Sequence, residues 1–170
     1  MGLVFAYGKI LPKEVLEVPR YGFWNVHPSL LPKYRGPSPI ATPLINGEVE
    51  TGVTIIKMDE EMDHGPMIAQ EKAYIFPLQR RDQLTDRLVD LGYTLLKDLL
   101  IKYADDVSKV PMREQEHKKA TYTKLLKKDD GFIEISNFFP KGRSPSGRKS
   151  QKEVFNLFRG LYPWQGIWTT

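Results

Sequence analysis

The chain has 170 residues, 41% hydrophobic and 27% charged, a balance that fits one soluble globular unit with its own core and excludes a disordered tail. It has no cysteine, which excludes disulfides, thiolate metal sites and a cysteine nucleophile and makes a reducing, cytoplasmic setting the expected one, with a mitochondrial or plastid address left open. A formal charge of +4 and a pI near 9.2 suit a polyanionic partner such as RNA, and no apolar run approaches the roughly 20 residues that span a bilayer, so no membrane role is expected.

Residues 3–8 are apolar, short and closed by Gly8, and read as a buried strand. Residues 12–18 read as a short helix with Pro12 at its first turn, and residues 22–26 return as a second strand, giving a βαβ-like crossover. A helix is expected over residues 36–46 in spite of Pro37, Pro39 and Pro43. Residues 51–58 and 67–75 are β-rich, are separated by the acidic turn at Asp59, Glu60 and Glu61, and are expected to pair as a hairpin. From residue 81 to 103, Leu84, Leu88, Leu91, Leu95 and Leu99 recur every three or four positions, the spacing of a long amphipathic helix. Residues 118–130 are polar and basic, 132–135 alternate like a strand, and 139–150 read as a mobile loop rich in Pro, Gly, Ser, Lys and Arg. Val154, Leu157 and Leu161 then sit at helical spacing ahead of Pro163-Trp164-Gln165-Gly166, a stop of the kind that leads out of a domain.

The chemistry concentrates in Asn25, His27 and Asp63. An amide donor, an imidazole and a carboxylate together can stabilise an oxyanion while moving a proton. In a strand, positions 25 and 27 project to the same side, so both side chains can face one reacting carbonyl. Asp63 arrives from a separate stretch, Met62-Asp63-His64-Gly65-Pro66. The alternative for an isolated pair is a structural histidine beside a turn-forming asparagine, and for Asp63 a local cap in a solvated acidic turn.

Taken together, Ala6-Tyr7-Gly8-Lys9-Ile10-Leu11-Pro12, the run from Asn25 through His27-Pro28-Ser29-Leu30-Leu31-Pro32 to Arg35-Gly36, Thr51-Gly52-Val53-Thr54-Ile55 and residues 58–66 closely resemble the formyltransferases that use 10-formyltetrahydrofolate. The resemblance implies an α/β fold: part of a Rossmann-like catalytic domain, with a mostly parallel sheet and flanking helices, over residues 1–110. Residues 111–170 would be a linker and the start of a further, small β-barrel domain. It implies that Asn25 donates to the formyl oxygen, that His27 stabilises the tetrahedral oxyanion and passes a proton to the departing N10 of the folate, and that Asp63 orients His27 or orders a water. Ser29, Leu30, Leu31 and Pro32 would form the folate-contacting loop, with the Leu31–Pro32 bond as a candidate cis peptide, and Arg35 and Gly36 would complete the turn beside the site. The resemblance implies that the substrate amine is the nucleophile, so neither serine nor cysteine would be needed for that role. The acceptor ranked first is the amino group of initiator methionyl-tRNA, and an amino-sugar nucleotide ranks second; a non-catalytic folate-binding module is the competing class.

His64 stands where the family usually carries threonine or alanine and reads as incidental, and His117, among Glu116, Lys118 and Lys119, reads as solvated. Lys141, Arg143, Arg148, Lys149 and Lys152 offer phosphate contacts or merely a solvated loop, and no ligand cluster has metal-site spacing. Strands and helices that precede residue 3 in family members, and the barrel that follows residue 170, have no counterpart in this sequence, which is therefore expected to be a fragment with an unpaired sheet edge.

Overall fold

The computed structural model describes residues 1–134 and 150–170. Four strands, β1 (Gly2–Val4), β2 (Phe23–His27), β3 (Glu50–Lys57) and β4 (Met67–Tyr74), form one sheet in chain order. The helices are α1 (Lys13–Leu16), α2 (Ala41–Asn46), α3 (Arg81–Lys102) and α4 (Gln151–Leu161). The α/β class with flanking helices is as expected. The parallel pairing is confined to β1 with β2; β2 with β3 and β3 with β4 run antiparallel. The expectation of a mostly parallel sheet is therefore corrected for these four strands. The reason is local: β3 and β4 are joined by the acidic turn without a crossover, and the short α2 between β2 and β3 returns the chain in the opposite sense.

β1 is shorter and more open than its apolar sequence implies. Ala6 takes φ 45° and ends the extended run, and Leu3, Phe5 and Tyr7 are 45%, 51% and 56% exposed. Among the described residues β1 has a hydrogen-bonded neighbour on one side only, β2, so its other edge carries no strand. α2 begins at Ala41 and not at residue 36, because Pro37 and Pro39 lack the N–H groups and the conformational freedom a helix needs there. Pro43 is tolerated because it lies in the first turn, where N–H groups have no intrahelical partner. Gly47 closes the helix at φ 73°, the left-handed cap position that glycine fills without strain.

α3 lies across β3 and β4 with Leu84, Leu88, Gly92 and Leu96 buried, a strict four-residue stripe, while Leu91, Leu95 and Leu99 pack on its flank. At Gly92 a Cβ would stand 2.8 Å from Val26 Cγ1, so glycine lets the helix axis approach β2. The core joins Trp24, Val26, Val53, Ile55, Leu84 and Leu88, each large aliphatic burial contributing roughly 1.5–3 kcal/mol. This core fixes β2, and β2 carries Asn25 and His27.

α4 opens on a reciprocal cap between Ser150 and Glu153 and packs on α2, where Gly160 sits against Ile45. Its Arg159, 5% exposed, donates to Asn156 Oδ1 at 3.0 Å and to the Leu44 carbonyl at 3.4 Å. Phe132 makes an isolated bridge to Trp168 and Ile133 is buried; among the described residues the strand-like stretch expected over 132–135 is limited to that bridge, and Ile135 lies outside them. The basic loop expected over residues 139–150, with Lys141, Arg143, Arg148 and Lys149, lies outside the described residues except for Ser150; Lys152 is exposed on α4. No described helix is long and apolar enough to cross a membrane.

Candidate active site

β2 delivers Asn25 and His27 opposite Ile56 and Thr54 of β3, and the two side chains emerge on the same side of the sheet, as the two-residue spacing requires. The Asp63 carboxylate reaches both. Its Oδ1 lies 3.4 Å from His27 Nδ1 and accepts from Asn25 Nδ2 at 3.4 Å, while its Oδ2 accepts from the Gly36 N–H at 2.7 Å. The three residues singled out in the sequence thus meet at one carboxylate. The local cap in an acidic turn is not what Asp63 forms: its side-chain partners are 27 to 38 positions away.

His27 is 3% exposed, and its Nε2 stands 3.0 Å from the Tyr34 carbonyl oxygen. A neutral imidazole has one N–H to share between Tyr34 O and Asp63; the protonated ring can serve both. Burial nevertheless dominates and holds the pKa below the ordinary 6.5, against the pull of Asp63 and of the Tyr34 carbonyl, with Arg35 adding slightly to the depression. The resting ring is a neutral base, with Nε2 nearer its acceptor at 3.0 Å and Nδ1 left 3.4 Å from the Asp63 carboxylate that would stabilise it once protonated. The same depression ties stability to pH. Just below pH 6.5 the unfolded chain binds a proton at this histidine and the folded chain does not, so this contribution to stability is whole above that pH and declines as pH falls, levelling off at the folded pKa. Urea midpoints at pH 7.5 and pH 5 are expected to differ more in the wild type than in His27→Gln; equal differences would contradict the burial of a neutral ring.

The turn that follows β2 is held by its own hydrogen bonds. Ser29 Oγ donates to Lys33 O at 2.7 Å, Thr54 Oγ1 donates to Ser29 O at 2.7 Å and accepts from Leu31 N at 3.1 Å, and Gln70 Nε2 donates to Leu31 O at 2.9 Å. The Leu31–Pro32 peptide is cis. Of the four residues expected to touch folate, Ser29 and Leu31 are buried, with Leu31 packed on Ile56 and Met67, and Leu30 and Pro32 are partly exposed. A cleft of about 620 Å3 lined by Lys13, Arg20, Lys57, Met58, Asp59 and Glu60, among others, adjoins the acidic turn and includes none of residues 25–32.

Backbone geometry tightens around the same point. Tyr34, Gly36 and Asp63 have φ of 63°, 101° and 50°, so two of three left-handed positions at the site carry side chains, a costly conformation that the surroundings must enforce. At Gly65 a Cβ would lie 1.9 Å from Lys57 O, so the Asp63 turn folds directly onto the end of β3.

What enforces it was only partly visible in the sequence. Arg35, expected beside the site, is 1% exposed and donates to Gln115 Oε1 from Nε at 3.2 Å and from Nη2 at 2.7 Å, to His117 Nδ1 at 2.9 Å and to Tyr122 OH at 3.3 Å. His117 is exposed, as expected, and also accepts from Arg35 and stacks on His64 with centroids 4.1 Å apart, because residues 113–123 fold back over the site. His64 in turn pairs with Asp59 at 2.7 Å. That returning segment is stitched on by Met67 and Arg113 at one end and by Tyr34 N to Thr121 Oγ1, 2.8 Å, at the other. Tyr34 OH donates to Glu48 Oε1 at 2.6 Å; burial, then this bond, raises the phenol's pKa. Gln115, Tyr122, Thr121 and Glu48 carry no spacing that singles them out in the sequence. Among the described residues no group of three or more histidine or acidic side chains is placed to hold a metal ion.

The family model described as formyl transferase matches residues 2–100, and the chain belongs to the formyl transferase family. The particular relatives agree in kind. A methionyl-tRNA formyltransferase of Chloroflexus aggregans is 49% identical over 134 residues, covering 79% of this chain and 43% of the relative. One from a Roseiflexus species is 46% identical over 169 residues, 99% of this chain and 48% of the relative. The chain therefore spans a little under half the length of these relatives. Among solved structures, an N-formyltransferase from Helicobacter canadensis, in complex with folinic acid and dTDP-3-aminofucose, aligns with a TM-score of 0.63 at 24% identity, covering 81% of this chain and 46% of that one.

Proposed function

We propose that this chain carries the reacting half of a methionyl-tRNA formyltransferase, moving a formyl group from 10-formyltetrahydrofolate to the amino group of initiator methionyl-tRNA. The observation that carries this reading is the convergence of Asn25, His27 and Asp63 within 3.4 Å, in a chain 46–49% identical to relatives bearing that name. The amine's lone pair attacks the formyl carbon and the carbonyl electrons move to oxygen. Asn25 donates to the oxyanion through the amide hydrogen that Asp63 does not engage. With Nε2–H given to the Tyr34 carbonyl, His27 takes the proton the attacking nitrogen sheds at Nδ1, which Asp63 approaches only to 3.4 Å, and delivers it to N10 as the C–N10 bond breaks, so the folate leaves as a neutral amine. Asp63 favours the transient imidazolium and fixes the ring plane. The loop of Ser29, Leu30, Leu31 and Pro32 would meet the donor through Leu30, Pro32 and main-chain groups, since the Ser29 hydroxyl and the Leu31 side chain already serve the turn. The charge of +4 suits the tRNA backbone.

The test is an assay of the chain with 10-formyltetrahydrofolate and either initiator methionyl-tRNA or a dTDP-amino sugar as acceptor. Formylated methionyl-tRNA is the expected product. Formylation of the sugar alone would replace the acceptor, and no product with either would reject transfer by this chain.

A further inference from the structure

The side chain of Gln115 lies 50 positions from the nearest residue it binds and uses its whole amide. Nε2 donates to the Asp63 carbonyl at 2.9 Å and to the Gly65 carbonyl at 2.8 Å, and Oε1 accepts two bonds from Arg35, at 3.2 and 2.7 Å. Both donors and both acceptor sites are therefore occupied, at 4% exposure. The two carbonyls belong to the left-handed turn that aims the Asp63 carboxylate, and Arg35 immediately precedes Gly36, whose N–H holds the other side of that carboxylate. One side chain thus spans three separate pieces of chain that must stay in register for Asp63 to reach His27.

We infer that Gln115 is a positioning residue for the formyl-transfer site, clamping the Asp63 turn to Arg35 so that the carboxylate faces His27 and Asn25. The inference rests on the function proposed above. It also gives the segment after residue 110 a part in the site, beyond leading away from it. The physical argument is one of alternatives. Asp63 sits at φ 50°, where a residue with a side chain relaxes unless its neighbours prevent it. Among the described residues, this one amide holds the Asp63 and Gly65 carbonyls from outside the turn, and the turn carries no β-ladder of its own. Released, it would rotate the carboxylate out of line with a ring that lies 3.4 Å away and is already only loosely contacted. A displacement of about 1 Å at a reacting centre can cost on the order of 100-fold in rate.

Gln115→Met keeps the length and removes all four bonds; Gln115→Glu keeps an acceptor for Arg35 and sets a carboxylate against the two carbonyls. Both are compared with the wild type in steady-state formyl transfer across pH, with thermal melts alongside. Wild-type transfer establishes the underlying reaction, and its absence would reject the proposed function before the clamp is tested. Given that activity, kcat is expected to fall about 10- to 100-fold in both variants with KM for the folate donor within about twofold of wild type. In Gln115→Met the acid limb of kcat shifts to lower pH, because a displaced carboxylate no longer favours the imidazolium. Folded variants with unchanged kcat would overturn the clamp. So would a fall in kcat with the acid limb unmoved in Gln115→Met, which marks a loss of folded enzyme only. If Gln115→Met does not fold, Gln115→Glu decides by its ratio of kcat to KM effects.

Discussion

Replacing His27 with alanine is expected to lower kcat for formyl transfer about 100- to 10,000-fold, the range a positioned acid–base group contributes. The loss falls on kcat because His27 is buried behind the turn and handles the proton of the reaction, with its ring contacts made to Asp63 and Tyr34. Folding survives with some cost. The Tyr34 carbonyl loses its partner, a deficit of about 1–3 kcal/mol for a buried acceptor left unsatisfied, so a lower melting temperature accompanies a cooperative transition. Stopped reactions scored for formylmethionyl-tRNA, beside a thermal melt, read both effects. A folded variant with an unreduced rate would remove the imidazole from the mechanism.

Asp63→Asn separates charge from shape. The amide oxygen still accepts from the Gly36 N–H, so the turn stays closed, but the negative charge that steadies a protonated His27 is gone. The rate is expected to fall on the order of 100- to 1,000-fold, the scale of one preorganised electrostatic partner. The pH profile carries the sharper reading. Burial already depresses the His27 pKa, and Asp63 opposes that depression. Without the carboxylate the folded pKa drops further, the ring stays neutral to lower pH, and the acid limb of kcat/KM moves down. A limb displaced upward would mean that Asp63 does not act through His27.

The sequence made the centre of the site legible because the signals there are local. Asn25 and His27 share a strand face by the two-residue repeat, and Leu84 and Leu88 declare the buried face of α3 through the four-residue repeat. The hairpin of β3 and β4 follows from two β-rich runs around an acidic turn. What stayed hidden is non-local. Gln115, Tyr122 and Thr121 act on residues 80 or more positions away through Arg35 and Tyr34, and an uncharged glutamine in a polar stretch has no pattern that singles it out. His117 is exposed, as its charged neighbours imply, but its contacts with His64 and Arg35 arise only once residues 113–123 have folded back. For β1 the error ran the other way. Apolar composition implied burial, but burial needs a covering element, and Ala6 at φ 45° cuts the strand short among residues that remain exposed.

The function proposed here requires His27 and Asp63 to act as one unit, and a double-mutant cycle measures that directly. Rates of methionyl-tRNA formylation are compared for the wild type, His27→Ala, Asp63→Asn and the variant carrying both changes. Once the imidazole is gone, the charge at position 63 has little left to support, so the double variant should be no more than a fewfold slower than His27→Ala alone. A double variant slowed by the product of the two single losses would show the residues working independently, and would contradict the account.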